Sequence, residues 1–416
     1  MESSTPSTVA ILLLHESPVT LWGLSSRERI ARVCTRLGVE KFIADTSASD
    51  TAESLLILRG DYLYDDRILQ SLCESRNIVL KIRQGQDEIP VAAHVDRDRA
   101  GRVRKWIDEG RLPKSRPAGL KIVTPRKLTS SYMVRLRKFD EPFVLPLKEE
   151  YKDRLEKHLY SWSYKGVTDL VTKWLWPRPA EQVVRLCVEW GLKPNQVTTI
   201  GFILAILAGL LFYYGWFGLG LLAGWLMTFL DTVDGKLARV TVTSSKFGHL
   251  FDHAIDIIHP PLWYLAWGVG LATWGRPLTP GAWETVVWLI LFGYIGGRAV
   301  EAVFTQFLGR FGIFCWQPKD SCFRLITGRR NPNMILLTLS LLAGRPDLGL
   351  WAVALWTFFS TLYLAYRLYQ AFTARREGPL KAWFEGIDPL DPPAELASAI
   401  RTFTRKPTLL PDGSRG

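Results

Sequence analysis

The sequence predicts two folds in series: an N-terminal α/β, Rossmann-like cytoplasmic domain, then an all-α integral membrane domain of about six transmembrane helices. Three observations predict it. Short apolar runs alternate with amphipathic stretches up to about residue 145, the pattern of strands alternating with helices. From residue 194 onward the apolar runs approach the roughly 20 residues that a bilayer requires. The chain also carries 17 Trp and a formal charge of +12 over 416 residues. Trp favours the membrane interface, and a basic balance suits either nucleic acid or an anionic bilayer surface. The apolar runs decide for the bilayer and against nucleic acid.

Taken in order, VAILLL is a buried-strand run and SSRERIARVCTRLGV an amphipathic helix opened by a Ser pair, with Gly38 near its end. SLLILRGDYLYDDRILQSLCE reads as a strand, a turn at Gly60–Asp61 and a second helix. IVLKI, PVAAHV and LKIVT are further strands, with DRAGRVRKWIDEG a helix before the last. Such alternation implies a mostly parallel sheet. Residues 146–193 form a charged, Trp-bearing juxtamembrane segment. Pro179 suits the first turn of a helix that Gly191 would end. That helix either lies in the membrane interface or packs as an ordinary connector.

The membrane domain, 194–375, holds spans at about 197–215, 217–235, 250–272, 282–306, 332–345 and 348–371. Pro260 and Pro261 should break or kink the third. Basic loops near Lys236, Arg239, Lys246, Arg310, Lys319, Arg324 and Arg330 place both termini and the loops they border in the cytoplasm. Residues 376–416 read as a loose cytoplasmic tail. The N-terminus has no basic start and only a short apolar run, unlike a signal peptide. Five scattered cysteines lack metal-ligand spacing and read as reduced thiols.

The chemistry concentrates in FLDTVDGKLARVTVTSSKFGHLFDHAIDIIH, residues 229–259. Asp231 and Asp234 are three apart and Asp252 and Asp256 four apart, so each pair shares a helix face. Carboxylates beside hydrocarbon are costly without a partner. A cluster of this size repels itself, and hard divalent cations such as Mg²⁺ or Mn²⁺ relieve that best. His249, His253 and His259 flank the acids and read as packing or hydrogen-bonding residues.

Asp231-x-x-Asp234-Gly235-x-x-Ala238-Arg239, eight residues, then Gly248-x-x-x-Asp252-x-x-x-Asp256 resembles the signature of the CDP-alcohol phosphotransferase family of integral membrane enzymes. The resemblance implies transfer of a phosphatidyl or other substituted phosphate group from a CDP-alcohol, chiefly CDP-diacylglycerol, to a hydroxyl acceptor, with CMP leaving. It implies two Mg²⁺ or Mn²⁺ ions: Asp231, Asp234 and Asp252 on one, Asp231, Asp252 and Asp256 on the other. Asp256 is the implied general base. Gly235, Ala238, Arg239, Ser245 and Gly248 align with residues contacting the cytidine diphosphate, and Asn195 and Thr198 match a further nucleotide-side segment. A homodimer through the membrane helices is also implied.

For the acceptor, Arg298, Lys319, Arg324 and Arg330 are the candidates, fitted to a phosphorylated alcohol. Arg298 has an alternative partner in Glu301, three residues on. The α/β domain resembles a sugar-phosphate nucleotidyltransferase, with Asp61 at the place of a metal-binding aspartate. Its first strand, however, runs into HESPVTLWGLSS, where that fold needs a glycine-rich phosphate loop. The domain therefore reads as a scaffold whose chemistry is lost. The alternative is a bifunctional enzyme that makes CDP-inositol and joins it to inositol phosphate. A divalent-cation transporter is the rival from another class, disfavoured because the acids cluster at one level.

Overall fold

A computed structural model describes residues 9–45, 52–115, 118–243, 246–385, 387 and 393–404, with backbone alone at 246–253. The elements of the first half are β1 (Val9–Leu14), α1 (Ser26–Arg36), β2 (Lys41–Ile43), β3 (Ser54–Arg59), β4 (Tyr62–Tyr64), α2 (Asp66–Glu74), β5 (Ile78–Gln84), β6 (Asp87–Asp96), α3 (Arg97–Glu109) and β7 (Lys121–Val123). After these come α4 (Pro125–Leu128), β8 (Tyr132–Met133), β9 (Lys138–Phe139), β10 (Val144–Pro146), α5 (Lys152–Trp162) and α6 (Pro177–Glu189).

The sheet runs β2-β1-β3-β6-β5-β7. β1 lies between β2 and β3, parallel to both, with Leu12 opposite Ile43 and Ile57. An all-apolar strand suits that position, buried on both faces. The sheet is mixed rather than mostly parallel: β6 is antiparallel to both β3 and β5. The cause is local, because only the turn between Gln84 and Asp87 separates β5 from β6, and a connection that short makes an antiparallel hairpin. YLY, between the turn at Gly60–Asp61 and the second helix, is strand β4 and pairs with β10. α1 starts at a capping box: Ser25 Oγ accepts from the Glu28 amide, and the Glu28 carboxylate accepts from the Ser25 amide at 2.8 Å.

The second half is helical: α7 (Pro194–Tyr213), α8 (Phe217–Val240), α9 (Lys246–Gly270), α10 (Pro280–Phe307), α11 (Pro318–Arg324), α12 (Arg330–Leu342), α13 (Pro346–Arg375) and α14 (Ala397–Phe403). Among the described residues, α7, α8, α10 and α13 are long and apolar enough to cross a membrane. They expose Ile203, Leu222, Trp288, Phe292 and Phe359, a surface that suits lipid rather than water. α9 and α12 occupy the expected third and fifth positions, and α12 has only 13 residues. α10 and α13 cross closely because Gly293 has no side chain; a Cβ there would meet the Phe358 backbone at 2.9 Å.

α9 runs unbroken through Pro260 and Pro261. The described part of the tail is anchored rather than loose: Phe384 and Phe403 are buried in a cluster that includes Phe304 and Phe314, and Ile400 is buried as well. The two halves are tied where α1 meets the end of α8. Arg29 Nη2 and Arg32 Nη1 on α1 donate to the carbonyls of Val240 and Thr241, at 2.6 and 2.7 Å. They cap the C-terminal end of α8, where carbonyls lack intrahelical donors.

Candidate active site

α8 carries Asp231 and Asp234, and α9 carries Asp252 and Asp256. α8 ends at Val240 and a tight turn at Thr241–Val242 follows, with Thr243 N bonded back to Ala238 O at 2.9 Å. Asp231 and Asp256, from two consecutive helices, are brought together. Arg330, the first residue of α12, bridges them: Nη2 lies 2.5 Å from Asp231 Oδ2, and Nη1 lies 2.5 Å from Asp256 Oδ1. Two carboxylates remote in sequence thus converge on a single positive centre.

Asp234 is buried and accepts a hydrogen bond from Thr198 Oγ1 at 2.6 Å, so α7 supplies a polar anchor to the aspartate face of α8. Gly235 leaves room for the Arg239 guanidinium, which folds back to within 3.0 Å of where a Cβ would stand. Asn195 is exposed in the first turn of α7, and Ala238 is half-buried. Ser245 lies outside the described residues, as do the side chains at Gly248 and Asp252, and with them His249 and His253. Among the described residues no three His, Cys, Asp or Glu side chains form a metal-binding group. His259 Nδ1 bonds the Ile255 carbonyl and its ring stands against Trp263, a packed histidine.

The donor chemistry nevertheless fits a divalent cation. Asp231 and Asp256 present hard oxygens to the place now held by a guanidinium, and their attraction to Arg330 is the attraction a metal ion would use. Asp252 lies one turn before Asp256 on the same helix.

The acceptor candidates separate. Lys319 is exposed. Arg330 is engaged by the aspartates. Arg298 forms no pair with Glu301, which is taken instead by Arg329. The Arg298 guanidinium sits over the Tyr294 ring and donates to its hydroxyl at 3.4 Å, with no carboxylate partner among the described residues. Arg324 has buried Nε and Nη1 atoms with no hydrogen-bond partner among the described residues. Burial pushes the Arg324 guanidinium down to about 10, partly offset by Asp169.

Sequence reading missed three contributors. Asp169 accepts from Asn331 Nδ2 at 2.9 Å and from the amides of Val171 and Thr172. Burial pushes its carboxyl up, and Arg324 with these bonds outweighs that. Tyr294 Oη donates to the Asp256 carbonyl at 3.2 Å. Lys165 stands close enough to feel both Asp231 and Asp256. None of the three belongs to a spaced motif. Only the carbonyl left without a partner by Pro260 signals a need for Tyr294.

In the α/β half, Asp61 is gripped through both carboxylate oxygens by Arg59, at 2.9 and 2.6 Å.

Residues 192–308 match the family model described as CDP-alcohol phosphatidyltransferase. The chain is 40% identical over 82 residues to archaetidylinositol phosphate synthase of Pyrococcus horikoshii, covering 19% of this chain and 42% of that one. It is 32% identical over 124 residues to cholinephosphotransferase 1 of Danio rerio, covering 27% and 31%. The chain therefore spans less than half the length of these relatives. A solved structure of the Mycobacterium tuberculosis phosphatidylinositol phosphate synthase with CDP-DAG bound aligns with a TM-score of 0.35 and 18% identity, over 46% of this chain and 94% of that one.

Proposed function

We propose that this chain, which carries a CDP-alcohol phosphatidyltransferase domain over residues 192–308, transfers a phosphatidyl group from CDP-diacylglycerol to a phosphorylated alcohol and releases CMP. The observation that carries the reading is the convergence of Asp231 and Asp256, from two helices, on one cation within that domain.

In the reaction, the acceptor hydroxyl oxygen attacks the phosphorus bearing the diacylglycerol. The new P–O bond forms as the bond to the CMP oxygen breaks, and the hydroxyl proton passes to Asp256. Asp231, Asp234 and Asp252 would hold one divalent ion, and Asp231, Asp252 and Asp256 a second. Bound there, Mg²⁺ or Mn²⁺ would neutralise charge on the diphosphate. Thr198 holds Asp234 in place, and Arg239, with Gly235 making room, faces the nucleotide phosphates. Asn195, Ala238, Ser245 and Gly248 complete the cytidine side.

Arg298 and Arg324, with Arg329 beside them, form the acceptor side. Burial, with repulsion from Arg298, holds the Arg324 and Arg329 guanidiniums below their ordinary range, and a dianionic phosphate relieves that repulsion. Arg330 joins them only when it leaves the aspartates. The active site and both termini face the cytoplasm, α9 and α12 complete the six spans, and the chain works as a homodimer. The α/β domain acts as a scaffold, since Asp61 is already satisfied by Arg59.

The test is CMP release from labelled CDP-diacylglycerol by the purified full chain, with Mg²⁺ or Mn²⁺ and a panel of free and phosphorylated alcohols. Release should require both the metal and a phosphorylated acceptor. Asp256→Asn should lower it roughly 100-fold or more while nucleotide binding persists. Equal release by that variant would remove Asp256 as the base, and metal-independent release would remove the mechanism.

A further inference from the structure

A cavity of about 310 Å³ lies where the α/β half, the juxtamembrane helices and the C-terminal helix meet. None of its lining residues belongs to the aspartate motif or to the matched domain. Its wall holds four cations, Lys138, Lys165, Lys173 and Arg178, against a single carboxylate, Glu181. Two of these charges are already answered. Lys138 is bound to Asp140 at 2.6 Å, and Glu181 is taken by Arg185 at 3.2 Å. Lys173 donates to the Gly166 carbonyl at 3.1 Å and lies over the Phe403 ring, with no carboxylate partner among the described residues.

Lys165 makes no hydrogen bond or ion pair among the described residues. Its side chain is accessible to water yet ringed by protein, as expected of a group in a cavity wall rather than on the outer surface. Burial pushes Lys173 down to about 8. A cation that pays for desolvation with no counter-ion is destabilising unless something else supplies the negative charge.

The shape of the lining narrows the ligand. Tyr160 and Tyr164 bond to each other through their hydroxyls at 2.9 Å, and Lys236 lies over the Tyr164 ring. Aromatic walls beside unanswered ammonium groups suit a small organic phosphate better than a bare halide. Trp174 and Leu175, next to Lys173, are 62% and 59% exposed, so the cavity lies beside an apolar rim of the kind that meets a membrane interface.

We propose that this cavity, lined by no residue of the aspartate motif, is a phosphate-binding site adjoining the candidate active site, taking the phosphate of either a soluble phosphomonoester or an anionic lipid headgroup. The full chain would be titrated calorimetrically with inorganic phosphate. In parallel, it would be reconstituted in phosphatidylcholine nanodiscs with and without phosphatidic acid, and retained lipid measured by native mass spectrometry. The Lys165→Gln/Lys173→Gln double variant should bind phosphate or phosphatidic acid at this site at least tenfold more weakly, whereas Lys173→Arg should keep wild-type affinity there and Arg324→Gln should lose only the separate phosphate binding of the acceptor side. Loss for phosphate identifies a soluble ligand, and loss for phosphatidic acid alone identifies a lipid. If the double variant fails to fold, Arg178→Gln, whose side chain is exposed, should weaken binding about threefold. Wild-type binding unchanged in the lysine variants, lost only in Arg324→Gln, or absent for both probes would overturn the site.

Discussion

Arg330 occupies the position that makes the proposed catalytic carboxylates intelligible at the scale of single residues. Without it, Asp231 and Asp256 would face each other across a partly buried gap, with Lys165 as a more distant cation that both feel. Removing one partner from such a site leaves an uncompensated charge, and with these side chains partly exposed the cost is about 2 kcal/mol. The guanidinium also competes with any divalent ion for the same oxygens. Arg330→Gln should therefore melt at lower temperature than the wild type in EDTA. It should also gain more from added Mg²⁺, its midpoint rising further and at lower metal concentration. Thermal melts over a Mg²⁺ series measure this, and identical Mg²⁺ responses in the two proteins would show that Arg330 and the metal do not share the site.

The aspartate spacing was legible in the sequence because helical periodicity alone places residues three or four apart on one face. The partners of these acids were not. Arg330 lies 99 residues from Asp231 and 74 from Asp256, and a contact across that distance leaves no mark on local pattern. The same holds for Glu301: its spacing from Arg298 fitted an intrahelical pair, but tertiary packing offered it Arg329.

At the scale of elements, α9 shows how a helix breaker positions a functional residue. Pro260 has no amide proton, so the Asp256 carbonyl loses its intrahelical donor. The Tyr294 hydroxyl of α10 replaces it, and Arg298 in turn donates to Tyr294. The break expected at Pro260–Pro261 does not occur, because packing against neighbouring helices holds the backbone helical and a side chain satisfies a freed carbonyl. This chain of bonds links the acceptor side to the backbone of the base. Tyr294→Phe should lower kcat roughly tenfold, as a misplaced base does, while leaving the KM for CDP-diacylglycerol close to wild type. A rise in that KM with kcat intact would assign Tyr294 to donor binding instead.

Strand order shows what local pattern cannot give. VAILLL and SLLILR announce themselves as buried strands, yet nothing in their composition says that β6 enters the sheet between β3 and β5. The loop length between β5 and β6 held that information. α12 is a related case: its 13 residues make a helix plain but leave its path to the packing around Asn333, which donates to Tyr264 and Thr357.

The whole molecule is one chain in which the α/β half grips the helix that carries the chemistry. Arg29 and Arg32 cap α8 six to ten residues beyond Asp234 and Asp231, and the buried Lys236 donates to the Ser163 carbonyl. The tail returns to cover the same junction through Phe403. Such an arrangement gives the N-terminal domain a mechanical purpose without requiring chemistry of its own. It also explains why the membrane domain, recognisable by its motif, revealed so little of its setting: the contacts that fix α8 come from residues about 70 to 210 positions away.

The account rests on the acids of α8 and α9 sharing divalent ions. Mn²⁺ titration of the full chain followed by electron paramagnetic resonance, in the presence of CDP-diacylglycerol, tests this most directly. A pair of bound Mn²⁺ ions per chain is predicted, with at least a tenfold loss of affinity in Asp231→Asn. Mn²⁺ uptake equal in the two proteins, or none above the detergent background, would contradict it.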